Sequence, residues 1–169
     1  MNRPDGTLPD NGSGLLEPSA EAPFFVYGTL MYGFRNERRL LQSEVALRHT
    51  AVLKGASLWH LPDVNYPSMQ EGDSQVFGEL IWLKDFRRVT PELDLLEGYV
   101  GPTDNFEYIR KATAVEDLET GETVWAYTYW SLHDLANLEP PAIAIPSGDW
   151  RAFMTQNQLQ DVSLDDLYP

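Results

Sequence analysis

The chain has 169 residues, which is typical of a single domain, and 43% of them are hydrophobic, which is enough to build a core. A formal net charge of −14 repels phosphate backbones and anionic membrane surfaces, so we expect neither nucleic acid nor a membrane as a partner. The chain contains no cysteine, which excludes disulfides, thiolate metal sites and a cysteine nucleophile.

The first 22 residues are rich in Pro, Gly, Ser, Asn and Asp and show no hydrophobic periodicity. This composition predicts a disordered tail over residues 1–22, followed by one domain over residues 23–169. The N-terminus has no basic region followed by an apolar run, and no stretch of about 18 apolar residues occurs, so we expect a cytoplasmic protein.

The predicted domain begins with a short β-prone run, FFVY, at residues 24–27. Gly28 ends this run, which predicts a strand that leads into a turn. Residues 36–42, NERRLLQ, predict a short helix with Asn36 as its N-cap.

Two further strands precede a second predicted helix. Residues 51–61 mix apolar and small side chains and predict a strand that bends at Gly55. Residues 74–83, SQVFGELIWL, place apolar residues on both faces, which is typical of a strand buried on both sides. Apolar residues at helical spacing then predict the helix: Phe86, Val89, Leu93 and Leu96.

The C-terminal half predicts a β-hairpin over residues 106–117 and 123–131, with its turn near Gly121. A final helix is expected to start near Ser147. The chain thus has about five or six strands and two or three short helices that do not alternate regularly. This arrangement favours an α+β fold with a curled or barrel-like sheet over a doubly wound parallel sheet.

The turn after the first strand is a candidate binding site. A strand that ends in Tyr27, Gly28 and Thr29 presents successive backbone N–H groups, and Gly28 allows a tight turn and the close approach of a ligand. Such a run of N–H groups binds a carboxylate without a cationic side chain. The alternative interpretation is an ordinary turn at the end of a strand.

Glu97 is a candidate catalytic residue. It lies four residues after Leu93, so on a continued helix it would lie on or beside the inward face, and Gly98 is a natural helix C-cap. Burial raises the pKa of a carboxyl group, which suits a proton shuttle near neutral pH. The alternative is a side chain at the helix end that reaches solvent or bonds to nearby backbone. A helix C-terminus disfavours negative charge, which slightly favours a chemical role.

Other catalytic classes find no support in the sequence. The histidines at positions 49, 60 and 133 share no metal-ligand spacing, and neither a metal nor a cofactor is expected. His60 lies in a run of Trp and Leu, which predicts a structural role. No serine lies in a nucleophile elbow, and neither a Walker A loop nor a dinucleotide fingerprint occurs. The aromatic residues within 125–130 are expected in the core of the sheet.

Six motifs follow one another along the chain: VYGTL, VFGELIWL, LDLLEGY, YIRKATAV, AYTYW and IPSGDW. In this order they resemble the gamma-glutamylcyclotransferase-like family, also called the AIG2-like family, over residues 24–154. The resemblance implies a small mixed β-barrel flanked by short helices, with a substrate cavity at the barrel mouth. It also implies a small γ-glutamyl compound as the partner and no cofactor.

The resemblance assigns roles to the two candidate sites. The glutamate of the EG step, here Glu97, corresponds to the catalytic acid/base of the family. The loop after the first strand corresponds to the part that binds the γ-glutamyl head group, here Tyr27, Gly28, Thr29 and Leu30. The family often has serine in this loop, and Thr29 keeps the hydroxyl group.

Four further residues are implied near the cavity. Trp150 of SGDW matches an aromatic residue that lines the pocket in this family. Tyr108, Arg110 and Tyr127 fall at positions typical of the family and are expected close to the substrate.

The implied reaction is an intramolecular attack of the substrate's α-amine on its γ-amide, which releases 5-oxoproline and a free amine or amino acid. One alternative is a non-catalytic ligand-binding or interaction module with the same fold. Another keeps the reaction but changes the amine, to γ-glutamyl-lysine, a polyamine conjugate or a biosynthetic intermediate, with loops 60–73 and 99–106 shaping that side. The sequence leaves the oligomeric state open.

Overall fold

Five strands close a small mixed β-barrel, and a sixth short strand extends its sheet. The structure is a computed structural model, and it describes residues 22–62, 65–96, 108–157 and 159. The strands are β1 (Phe24–Val26), β2 (Val45–Leu61), β3 (Tyr66–Leu83), β4 (Tyr108–Asp117), β5 (Thr123–Ser131) and β6 (Ile143–Ile145). Around the barrel the order is β3, β1, β5, β4 and β2, and β2 pairs with β3 to close it. β1 and β5 are parallel, and the other paired strands are antiparallel. The predicted α+β barrel is confirmed.

Short helical segments flank the barrel: α1 (Phe86–Leu96), α2 (Trp150–Gln156), a π-helical turn (Glu37–Leu41) and a 3₁₀ turn (Leu135–Asn137). The apolar spacing predicted α1 correctly, because Phe86, Val89 and Leu93 are buried against the barrel. Among the described residues, no helix is long and apolar enough to cross a membrane.

The hairpin of β2 and β3 forms the largest part of the barrel wall. β2 bends at Gly55 as predicted, because Gly55 has a φ of 80° and the register shifts between Lys54 and Ala56. β3 starts well before its predicted start at residue 74. The added part contains Pro, Gly and several polar residues, which is typical of a loop, and its later half is half-buried or exposed. Glu71 nevertheless pairs with Ala56 of β2 and so belongs to the ladder.

One helix start is confirmed and one differs from its prediction. Asn36 is the N-cap residue of the Glu37–Leu41 segment, as predicted, but its side chain makes no capping bond and donates a hydrogen bond to the Thr29 hydroxyl at 2.9 Å. α2 begins at Trp150 rather than near Ser147, because the Asp149 carboxylate accepts a hydrogen bond from the Ala152 amide at 3.0 Å and is the N-cap.

Aromatic rings fill the barrel where β1, β5 and α1 meet. The Phe24 ring lies 5.4 Å from Phe86 and 6.0 Å from Tyr129, and Phe86 lies 5.6 Å from Tyr127. Such pairs add about 0.5–1.5 kcal/mol each beyond the burial of their surface. Of the aromatic residues predicted in the core of the sheet, Tyr127, Tyr129 and Trp130 are buried, whereas Trp125 is only partly buried and packs against the core.

The segments that carry the candidate site lie at one end of the barrel. Val26 pairs with Glu79 of the antiparallel β3, so the chain that leaves β1 runs toward the start of β3. β5 runs parallel to β1, and its last residue, Ser131, pairs with Tyr108, the first residue of β4. The turn after β1 and the starts of β3 and β4 therefore lie at the same end, which we call the loop end.

Replacing Gly148 is expected to weaken the fold strongly. Gly148 has a φ of 68°, accepts a hydrogen bond from the Phe77 amide at 2.8 Å, and leaves no room for a Cβ, which would lie 1.8 Å from the Gln75 carbonyl oxygen. Gly148→Ala should lower the free energy of unfolding by about 1–3 kcal/mol more than Gly121→Ala, as measured by urea denaturation. Gly121 shares the positive φ, at 77°, but a Cβ there meets nothing within 4 Å. Equal losses in the two variants would contradict the prediction.

Candidate functional site

The turn after β1 approaches β3 at a distance that only glycine permits. A Cβ on Gly28 would lie 2.5 Å from Cγ of Pro67 and 2.8 Å from its Cδ. The turn is closed by a hydrogen bond from the Met31 amide to the Gly28 carbonyl at 2.9 Å. The absence of a side chain thus brings the turn directly onto the start of β3.

This turn has unused backbone donors. Within the described part of the chain, the amides of Gly28, Thr29 and Leu30 form no hydrogen bond. The next amides are occupied, because Tyr32 donates to a Glu79 carboxylate oxygen at 2.8 Å and Gly33 donates to Glu37 at 3.1 Å. Three consecutive N–H groups of a turn are therefore available to an anion.

The predicted residues Thr29 and Leu30 contribute mainly through their backbone. The Thr29 hydroxyl accepts the hydrogen bond from Asn36, and the Leu30 side chain is buried in the core. Their side chains hold the turn in place, and their amides are the groups that remain for a ligand.

Two of the predicted tyrosines are tied to the backbone near the turn. The Tyr27 hydroxyl donates to the Tyr129 carbonyl oxygen at 2.6 Å, and the Tyr108 hydroxyl donates to the Pro67 carbonyl oxygen at 3.4 Å. Pro67 thus contacts Gly28 through its ring and Tyr108 through its carbonyl. The structure brings Gly28 and Tyr108 together through this proline, which the sequence did not single out.

Arg110 and Tyr127 lie together in a second cluster at the C-terminal part of α1. The Arg110 Nε and Nη2 atoms donate to the two Asp94 carboxylate oxygens at 2.9 and 3.3 Å, and the Tyr129 hydroxyl donates to Asp94 Oδ1 at 2.7 Å. The guanidinium also lies over the Tyr127 ring, 5.0 Å from its centre. The sequence missed Asp94, although its position in LDLLEGY, three residues before Glu97, was a possible signal.

Glu97 itself lies outside the described residues, as does Gly98. α1 ends at Leu96, the residue directly before Glu97 in the chain. The catalytic role of Glu97 therefore stays a prediction, and what is fixed is the anchoring of the helix that leads to it.

Trp150 is packed inside the domain. It is fully buried, its indole N–H donates to His60 Nδ1 at 3.2 Å, and its ring lies 4.9 Å from Phe34 of the segment that follows the β1 turn. His60 is buried as well, which agrees with its predicted structural role. Contact of Trp150 with a substrate stays a prediction, and the contacts that it makes support the fold.

The two histidines with protein partners differ in the direction of their pKa shifts. Burial lowers the pKa of His60, and a hydrogen bond with the Asn65 side chain only partly offsets this. The hydrogen bond to Asp117, 2.7 Å long, raises the pKa of His49 despite some burial. Burial alone would raise the pKa of Asp117, but hydrogen bonds from His49 and from the amides of Glu119 and Thr120 lower it below its ordinary value.

A cavity of about 200 Å³ opens beside Tyr108 at the loop end. Its walls are mostly apolar, with a few hydroxyl groups, one imidazole and one carboxylate. It is lined by Leu61, Pro62, Tyr66, Ser68, Tyr108, Ser131, His133, Leu135, Leu138, Glu139 and Pro140. The residues from 61 to 68 fall in one of the two segments expected to shape the amine side, and the other, 99–106, lies outside the described residues.

No three His, Asp or Glu side chains come together as a metal-binding group in the parts of the chain that the structure describes.

A closed mixed barrel with a glycine turn after its first strand and a cavity at the same end defines the class of domain. The sequence profile described as "Gamma-glutamyl cyclotransferase, AIG2-like" matches residues 24–152, and the chain belongs to this family. No curated protein sequence matches the chain significantly.

Solved structures with the same fold come from several kingdoms. An AIG2-like protein from Mus musculus is 28% identical, with a TM-score of 0.54 and coverage of 66% of this chain and 77% of that chain. YkqA from Bacillus subtilis is 23% identical with a TM-score of 0.58, and the match covers 81% of this chain but only 42% of YkqA. At3g28950.1 from Arabidopsis thaliana is 20% identical with a TM-score of 0.58 and coverage of 85% and 81%. The last two likenesses concern the fold alone.

Protonation of His60 is expected to destabilise the protein. Its pKa is lowered in the folded state, so its contribution to stability is complete above 6.5 and is lost as the pH falls toward the folded pKa, when the bond from Trp150 is also lost. Between pH 7.5 and 5.5, His60→Asn should remove this slope, which is at most about 1.4 kcal/mol per pH unit. Urea denaturation at each pH measures it.

The titration of His49 does not affect the difference between wild type and His60→Asn. Its pKa is raised, so its stabilising contribution is present at low pH and is lost as the pH rises, which gives a slope of opposite sign. That slope is present in wild type and in His60→Asn and cancels in their difference. An identical pH dependence in the two proteins would contradict the role assigned to His60.

Proposed function

We propose that the protein is a γ-glutamyl cyclotransferase. The free α-amine of a γ-glutamyl compound attacks its own γ-carbonyl carbon, a new C–N bond closes a five-membered ring, and the bond to the leaving nitrogen breaks. The proton lost by the attacking amine is delivered to the leaving nitrogen. The products are 5-oxoproline and a free amine or amino acid, and no covalent enzyme intermediate is needed.

The free amides of Gly28, Thr29 and Leu30 support this proposal most directly. A γ-glutamyl head group carries an α-carboxylate, and a run of turn amides binds such a group in a protein whose overall charge is strongly negative. Main-chain donors are local, fixed and independent of the net charge. In this assignment Tyr27 and Tyr108 support the turn and the wall beside it.

Glu97 is proposed as the group that moves the proton. It takes the proton from the attacking amine as a base and returns it to the leaving nitrogen as an acid. The preceding helix is held in place by Asp94, whose carboxylate binds both Arg110 and Tyr129. An anchored helix end suits a proton carrier, because general acid–base catalysis requires hydrogen-bond distances to the reacting atoms.

The expected contributions account for a substantial acceleration. Holding the substrate with its amine against its γ-carbonyl supplies roughly 7–11 kcal/mol of the barrier through orientation. Proton transfer by Glu97 supplies about 10²–10⁴-fold. Backbone donors of the turn that face the developing oxyanion supply a further electrostatic term.

The cavity beside Tyr108 is proposed to accept the amine part of the substrate. Its volume of about 200 Å³ suits a small aliphatic group, and its apolar walls suit a methylene chain. The candidate substrates are therefore γ-glutamyl amines and γ-glutamyl dipeptides with a short side chain, including γ-glutamyl-lysine and polyamine conjugates.

Replacement of Glu97 is the decisive test of the mechanism. Glu97→Gln should lower kcat for release of 5-oxoproline by about 10²–10⁴-fold while leaving the melting temperature unchanged, because only the proton carrier is lost. Glu92→Gln is the matched control, since Glu92 is an exposed carboxylate on the same helix and should keep wild-type activity. Chromatographic detection of 5-oxoproline measures both variants on a panel of γ-glutamyl amines and dipeptides.

Two results would contradict parts of the proposal. Wild-type turnover in Glu97→Gln would remove the role of Glu97 while the reaction could stand. Thermal stabilisation of the wild type by γ-glutamyl compounds without any release of 5-oxoproline would favour the alternative of a ligand-binding module.

A further inference from the structure

A second feature of the β1 turn is the pair of carboxylates behind it, Glu37 and Glu79. Arg48 of β2 lies between them, with Nη1 at 2.6 Å from Glu79 Oε1 and Nη2 at 3.7 Å from Glu37 Oε2. All three side chains are largely buried, with 5% of Glu37, 13% of Glu79 and 21% of Arg48 exposed. One guanidinium therefore serves two carboxylates in a place where water screens little.

We call residues 28–33, which comprise the β1 turn and the residues directly after it, the loop. The carboxylate pair holds the second part of this loop, Tyr32 and Gly33, through its backbone. Glu79 accepts the Tyr32 amide at 2.8 Å, and Glu37 accepts the Gly33 amide at 3.1 Å. Arg151 of α2 donates to the Tyr32 carbonyl oxygen at 2.8 Å and lies 3.9 Å from Glu79. The Arg48 guanidinium also lies over the Tyr32 ring, 5.5 Å from its centre. Three side chains from separate elements thus fix two adjacent peptide groups, and Arg48 from a fourth element covers the Tyr32 ring.

This arrangement divides the loop into two parts. The amides at positions 32 and 33 are occupied by the carboxylate pair, and those at positions 28–30 form no hydrogen bond among the described residues. The first part is held by the protein, and the second keeps its N–H groups for the carboxylate of the proposed substrate. Any displacement of Tyr32 moves the turn, because the Met31 amide closes it on Gly28.

We propose that Arg48 is a positioning residue for carboxylate binding by the β1 turn. This proposal rests on the proposed function. Arg48 neutralises Glu37 and Glu79, so that both carboxylates can hold the loop and neither repels the substrate's α-carboxylate. Without Arg48, Glu79 retains an ion pair with Arg151, which is 47% exposed and lies 3.9 Å away, too far for a hydrogen bond. Two buried like charges would then push the loop apart.

The test compares Arg48→Gln with a matched arginine variant. Arg48→Gln should raise KM for the γ-glutamyl substrate, and the Kd of 5-oxoproline by calorimetry, by about 10-fold or more, with kcat within about 3-fold of wild type. Arg88→Gln is the control, because Arg88 also bridges two carboxylates, Glu44 and Asp85, but is half exposed, and it should change neither value. Arg48→Lys should give an intermediate loss.

A charge rescue separates positioning from general stability. Glu79→Gln keeps an oxygen that can accept the Tyr32 amide and removes one negative charge, so Arg48→Gln/Glu79→Gln should recover most of the lost affinity for 5-oxoproline. If Arg48 acted only through the packing of its side chain, removing a charge at position 79 would give no such recovery. The double variant also serves if Arg48→Gln alone fails to fold.

The outcomes distinguish this inference from the proposed function. If the wild type is active and Arg48→Gln has the same KM and Kd as Arg88→Gln, the role of Arg48 is overturned and the proposed reaction stands. A fall in kcat with KM and Kd unchanged would overturn it as well. A wild type that binds 5-oxoproline without turnover would refute the reaction, and the Kd series would still decide the role of Arg48. A wild type that neither binds nor reacts would refute both.

Discussion

The approach of Gly28 to Pro67 is the contact on which the candidate site depends. Glycine is required because any Cβ would overlap the proline ring. Proline is tolerated here although it has no N–H to donate to the ladder, because it is the second residue of β3, and its carbonyl oxygen accepts a hydrogen bond from the Tyr108 hydroxyl. The turn with its free amides, the phenol of Tyr108 and the wall of the cavity are thereby joined by one residue of β3 that sequence patterns do not single out.

The parts of the fold that follow from local patterns were predictable. The spacing of Phe86, Val89 and Leu93 defined the inward face of α1, and Gly55 marked the bend of β2. The polar start of β3 was not predictable, because its strand conformation comes from pairing with β2 rather than from its own side chains. The contacts within the candidate site also depend on tertiary structure. The family resemblance predicted Arg110 near the substrate, but it did not predict that Arg110 pairs with Asp94.

The protein and its candidate ligand are both negatively charged, so binding requires local groups that offset the repulsion between them. A net charge of −14 creates an unfavourable long-range field for a carboxylate. Turn amides act over a few ångströms, so they are little affected by distant surface charge. Glu37 and Glu79, two carboxylates that hold the backbone after this turn, are compensated by Arg48. An acidic surface and an anion site are therefore compatible.

Arg110, at a position typical of the family, has a structural role that the structure shows directly. Its guanidinium makes a two-point contact with Asp94 and lies on the Tyr127 ring, an arrangement that fixes its plane. Asp94 is on the last turn of α1, where the helix dipole disfavours a negative charge, so a cation is needed to keep it there. The pair therefore ties the end of α1 to β4 and β5, and in the proposed mechanism Arg110 contributes by holding the helix that precedes Glu97.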